Sequence, residues 1–153
     1  MVSRGSYCLC IVVENKVAVE VGALGEHVFS PGRYIYVGSA MNGLEARIRR
    51  HLNTSHGSLG AVHWHIDYLL REPDARVEAV YTCTSEERME CAIAAAVSRR
   101  GSAVKRFGCS DCRCESHLFK VENWTFLSEI GLKPYPISDF SVRGLKESPR
   151  QVK

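Results

Sequence analysis

Residues 32–52, GRYIYVGSAMNGLEARIRRHL, pass from an extended to a helical pattern across a single small-residue turn. Tyr34, Ile35, Tyr36 and Val37 are aromatic or β-branched and follow a Pro31-Gly32 turn, which predicts a strand. Leu44, Ile48 and Leu52 fall four apart and predict one apolar helix stripe. The link between them, residues 38–43, is small and turn-prone. Any fold for this chain must therefore set the end of a strand beside the first turns of a helix. On that helix Arg47 and His51 share a face beside the stripe, while Arg49 and Arg50 point elsewhere. Two readings fit this spacing. His51 is a satisfied core histidine and Arg47 an edge residue with its stem on apolar surface, or the two hold a cation and an imidazole against the strand tyrosines, a set suited to phosphodiester chemistry.

The flanking sequence predicts an α+β fold: a small, mostly antiparallel sheet with an N-terminal β-meander and helices packed on it. Residues 6–13 form an apolar strand, 17–21 a half-buried strand in a hairpin with it, and 27–29 a short third strand. Residues 53–60 read as a loop that can close over a site. Residues 62–70 fit strand or helix by period. Their His63, His65 and Asp67 read either as ligands or as a surface His63–Asp67 hydrogen bond. Residues 76–83 alternate as a strand. Thr84 and Glu87 then form a capping-box pattern for a helix that ends at Gly101. Glu90 borders the apolar face of that helix, where an acid calls for an ion pair or a metal. Residues 117–121 predict a last strand and 122–131 a short helix.

A chain of 153 residues with 45% hydrophobic and 24% charged residues has the make-up of a single globular domain. We place that domain at 1–132, with an extended basic tail at 133–153. No apolar run approaches the ~20 residues of a membrane span. The expectation is a cytoplasmic protein without membrane contact. The tail holds five basic and two acidic residues and so carries the whole net charge of +3. Two basic clusters lie in the body: Arg47, Arg49 and Arg50, and Arg99, Arg100, Lys105 and Arg106. Both read either as phosphate contacts or as solvated faces.

Seven cysteines without a secretory context argue against a disulfide framework. Cys8, Cys10, Cys83 and Cys91 sit in apolar patterns and read as small packing residues. Cys109, Cys112, Cys114 and His117 crowd into nine residues, a donor set that suits Zn²⁺ or can be mere packing.

At several of these residues the chain resembles a known family. Tyr36-Val37-Gly38, followed by Arg47 and His51, looks like the second half of the GIY-YIG nuclease signature. Gly5-Ser6-Tyr7 looks like the first half, with Ser6 where isoleucine is usual. Glu90 is similar to the family's metal-binding glutamate. The strings at 64–69 and 111–119 look like a mainly archaeal subgroup, sometimes fused to endonuclease III-type repair enzymes. The likeness spans roughly residues 5–121. It implies a divalent-metal-dependent endonuclease acting on nucleic acid, with DNA favoured and a DNA-repair protein as a partner. Tyr7, Tyr36, Arg47, His51 and Glu90 would be catalytic, with Mg²⁺ or Mn²⁺ on Glu90. Gly38, Ser39, Arg49, Arg50, Arg99, Arg100, Lys105 and Arg106 would line the nucleic acid. The alternatives are a non-catalytic nucleic-acid or repair-partner module, and a zinc- or thiol-based regulator centred on Cys112, Cys114 and His117.

Overall fold

A computed structural model describes residues 3–55, 64–108 and 114–137. Its centre is β1, Gly5–Val13, whose residues are almost all buried because both of its faces and both of its edges are covered. Along it β4, Gly32–Ala40, and β5, Ala75–Thr84, both run antiparallel. The sheet is completed by β6 (Gly101–Ala103), β7 (Leu118–Val121) and β8 (Lys133–Tyr135), in the order β6-β7-β4-β1-β5-β8. All its pairings are antiparallel. The α+β expectation holds.

Alternation along the strands divides the core in two. Tyr7, Leu9, Ile11, Tyr34 and Tyr36 face α1, Leu44–Ser55, and α2, His65–Leu70. Cys8, Cys10, Ile35 and Val37 face α3, Glu90–Ser98. The predicted stripe of Leu44, Ile48 and Leu52 is the buried face of α1; each of these side chains contributes about 1.5–3 kcal/mol by burial. The ambiguous stretch before Arg71 is helical from His65 onward.

Several predicted features are corrected. The strand at Val17–Glu20, β2, does not pair with β1 but with β3, Glu26–Phe29, in a separate two-stranded ribbon. Both edges of β1 are taken by β4 and β5, so β2 has no hydrogen-bonding edge there. Instead Val19 and Phe29 pack onto the α1/α2 side of the core. Thr84 is not a helix cap, because it closes β5 opposite Gly5. Helix α3 starts six residues later, at Glu90. Residues 122–131 supply only a 3-10 turn at Thr125–Ser128. Residues 133–135, at the start of the segment read as tail, add the edge strand β8. The remaining tail from 138 on, and most of the loop read as closing over the site, lie outside the described residues. Among the described residues no helix is long and apolar enough to cross a membrane.

Candidate functional site

The β1–β4 register places Tyr7 opposite Gly38 and Leu9 opposite Tyr36, so the two tyrosines stand on the same face although 28 residues lie between them. The inserted β2–β3 ribbon leaves that pairing intact. The Tyr7 ring lies directly on Gly38: a Cβ there would come within 2.5 Å of both Cζ and Oη. Only a hydrogen at this position lets the ring lie flat. Gly38→Ala is therefore expected to displace Tyr7 and to cost about 1–3 kcal/mol, read as a lower midpoint in urea unfolding.

Held in that way, the Tyr7 hydroxyl lies 2.8 Å from His51 Nε2. His51 is fully buried, and its Nδ1 faces Asp67 Oδ1 at 3.7 Å, beyond hydrogen-bond length but close enough for strong charge interaction. Asp67 is fixed in turn by the Trp64 N–H, which donates to Oδ2 at 3.2 Å, and by Arg50 at 3.9 Å. The tautomer that satisfies both neighbours carries its proton on Nδ1, toward the carboxylate, and accepts the phenol proton at Nε2.

Electrostatics fix the protonation states. Burial pushes the His51 pKa below 6.5; the Asp67 charge opposes this, and Arg47 and Arg50 add to it. The imidazole is thus neutral near pH 7. Burial pushes the Tyr7 phenol up, against the charge and hydrogen bond of Arg47; the Tyr36 phenol is also held well above 10 by burial, then by Tyr7 and Glu90. Neither phenol is ionised at rest. For His51 the folded-state pKa is the lower one, so the unfolded chain takes up the proton first as pH falls. Its contribution to stability is intact above pH 6.5 and is lost below it, toward the folded value. The drop in melting temperature between about pH 7 and pH 5 should be shallower in His51→Gln.

Arg47 bonds the Ser39 carbonyl at 3.1 Å, and its guanidinium stacks 4.4 Å from the Trp64 ring, where Arg50 also stacks at 5.0 Å. It is more than an edge residue, because its charge acts on both phenols. Glu90 opens α3 on the opposite side of the sheet, yet its carboxylate also acts on both phenols. It is partly exposed, with Oε2 3.5 Å from His117 Nδ1 and Oε1 3.6 Å from Arg88. The link across the sheet is Ser6. Its Oγ lies 2.9 Å from Ser39 Oγ and accepts the N–H of Met89, the residue before Glu90, at 3.1 Å. Isoleucine at this position could not make those bonds. Tyr7, Tyr36, Arg47 and His51 are thus brought together on one face, while Glu90 is tied to the far side of the same strands through Met89 and Ser6.

The residues read as nucleic-acid contacts divide. Ser39 is buried and Gly38 lies beneath Tyr7, so both shape the site from below. Arg49 is exposed on α1. Arg99 and Arg100 lie past the far end of α3, about 13 Å along its axis from Glu90, and Arg100 rests 4.6 Å over Phe126. They do not join the cluster. Lys105 and Arg106 are exposed on the turn leading to Gly108, which abuts Tyr36 and His117. His65 Nδ1 accepts the Gly108 N–H at 2.8 Å, a structural bond, and His63 lies outside the described residues.

Cys109 and Cys112 also lie outside the described residues. The other two predicted zinc ligands, Cys114 and His117, meet Cys91, and the three ligand atoms lie within 4.8 Å of one another, a group that can hold a metal ion. Cys91 is a correction: it is exposed, because α3 turns Ile93, Ala94 and Val97 to the core instead. No local spacing could have joined it to Cys114. Asp67, read from the sequence as a ligand or as a surface partner of His63, is buried and faces His51 instead.

The profile of one protein family, described as domain of unknown function DUF123, matches residues 6–132. No curated protein and no solved structure matches the chain.

Proposed function

We propose that this chain, which belongs to the DUF123 family, is a GIY-YIG-type endonuclease that hydrolyses phosphodiester bonds in nucleic acid, DNA before RNA, in repair or processing alongside a repair protein. One observation carries the reading: two phenols, a guanidinium and an imidazole from β1, β4 and α1 gather on one face of the sheet, and the charge of the Glu90 carboxylate, on α3, reaches both phenols.

The residues have distinct tasks. A buried neutral phenol is a poor base by itself. Tyr7 avoids ionising because its own proton passes to His51 Nε2 as it takes one from the attacking water. The resulting imidazolium faces Asp67, as the base faces its acid in hydrolase triads. The hydroxide forms its bond to phosphorus as the bond to the leaving oxygen breaks, and that oxygen takes a proton from solvent. Arg47 holds the charge that builds on the phosphoryl oxygens. Tyr36, against Tyr7 and His51, walls the water in place. Among the described residues the ion-pair partners of Glu90 stand at 3.5 Å or more, so its carboxylate would be a hard oxygen donor for Mg²⁺ or Mn²⁺. When bound, such an ion polarises the phosphate and stabilises the leaving oxygen.

One observation favours the competing module that binds without cutting: Tyr7 is 1% exposed and Tyr36 5%. The discriminating assay incubates the protein with branched, damaged, single-stranded and duplex DNA in Mg²⁺, in Mn²⁺ and in chelator. Metal-dependent cleavage is expected, falling about 10²-fold in Arg47→Ala with DNA binding largely kept. Binding with no cleavage of any of these substrates would replace the nuclease by the module.

A further inference from the structure

The geometry points to a second metal site, built for a thiophilic divalent ion of the zinc class, with Cys91, Cys114 and His117 as ligands. The site goes beyond the nuclease reading; only its consequence for Glu90 rests on that reading.

Cys91 comes from the first turn of α3, while Cys114 and His117 come from the segment that leads into β7. Their ligand atoms cluster within 4.8 Å, and the two sulfurs lie 2.8 Å apart. Two thiolates on one tetrahedral zinc, each at ~2.3 Å, stand about 3.8 Å from each other. Loading must therefore open the pair by about 1 Å, which the exposed Cys91 can do by adjusting its χ1. Binding releases one proton from each thiol and changes no oxidation state. Two sulfurs and an imidazole discriminate against Mg²⁺, Mn²⁺ and Ca²⁺, which prefer oxygen. An open pocket of about 210 Å³, lined in part by Cys91, Cys114 and Phe119, gives the ion a path to the sulfurs. Glu90 faces His117 at 3.5 Å, and a carboxylate against a ligating imidazole fixes its ring and raises its basicity.

The same contact gives the site a task. Glu90 and Cys91 are consecutive on α3. An ion joining Cys91 to Cys114 and His117 pins the start of α3 to the lead of β7 and so fixes where the Glu90 carboxylate stands.

The test needs no nucleic acid. Protein is purified under reducing conditions without chelator, its zinc content is measured, and the apoprotein is titrated with Co²⁺. About one zinc per chain and thiolate-to-cobalt charge-transfer absorption are expected, with Cys91→Ser and Cys114→Ser each weakening binding about 100-fold or more and Cys83→Ser leaving it unchanged. Circular dichroism on each variant separates loss of ligand from loss of fold. The proposal is overturned by a wild type that binds no thiophilic ion, by folded Cys91→Ser and Cys114→Ser proteins that bind it normally, or by peptide maps of anaerobically handled protein showing Cys91 and Cys114 joined as a disulfide. Metal binding that persists in a protein that cuts no DNA keeps this site and removes only the nuclease reading.

Discussion

Tyr7→Phe is expected to lower the cleavage rate about 10³-fold, the middle of the range for a general base, while the protein stays folded. The change removes one atom. The phenyl ring still fits over Gly38, and its contacts with Tyr36 and His51, at centroid distances of 6.5 and 5.4 Å, remain. What disappears is the oxygen that must take a proton from water and pass one to His51 Nε2, 2.8 Å away. The binding energy of DNA, supplied by exposed basic groups, should hardly move, so the loss falls in kcat and not in KM. Tyr36→Phe should cost less, because the Tyr36 ring faces His51 at a 6.2 Å centroid distance while Tyr7 holds the imidazole hydrogen bond. Equal losses in the two variants would move the base assignment away from Tyr7, and unchanged rates in both would end the tyrosine mechanism.

The parts of this arrangement that could be read from the chain are those encoded within one element. The stripe of Leu44, Ile48 and Leu52 fixes how α1 lies on the sheet, and that in turn aims Arg47 and His51 inward. The strand–turn–helix order and the face shared by Arg47 and His51 needed only local period. The parts that could not be read depend on partners far away in sequence. Whether residues 17–20 pair with β1 depends on β5, some sixty residues later, claiming that edge first. The start of α3 is set not by its own capping residues but by the Met89 N–H finding Ser6, 83 positions earlier. Cys91 meets Cys114 because two layers of the fold close on each other, and 22 residues of chain between them carry no spacing signal. Ser6 shows how the local view misleads: as a departure from an apolar pattern it looks like a weakness, yet its hydroxyl joins β1, β4 and the residue before the acid.

Asp67→Asn is expected to lower cleavage about 10³-fold, although Asp67 touches no substrate. Loss of the aspartate in a serine-protease triad costs about 10⁴ through the wrong imidazole tautomer. Here the carboxylate stands 3.7 Å from Nδ1, so the effect is somewhat smaller. An asparagine keeps an oxygen for the Trp64 N–H and so keeps the first turn of α2. Its amide then turns N–H groups toward His51 Nδ1, which must become the acceptor. The ring proton moves to Nε2, and Tyr7 meets a donor where it had an acceptor. The relay is blocked in its resting state. The pH profile distinguishes this from a damaged fold. In the wild type, activity should rise through a His51 pKa already lowered by burial, with Asp67 opposing the shift. Removing that opposing charge moves the acid limb to still lower pH, while the plateau falls. A variant that merely unfolds loses plateau without moving the limb. A plateau and limb both unchanged in Asp67→Asn would show that His51 needs no acid behind it, and that the proton leaves Tyr7 by another route.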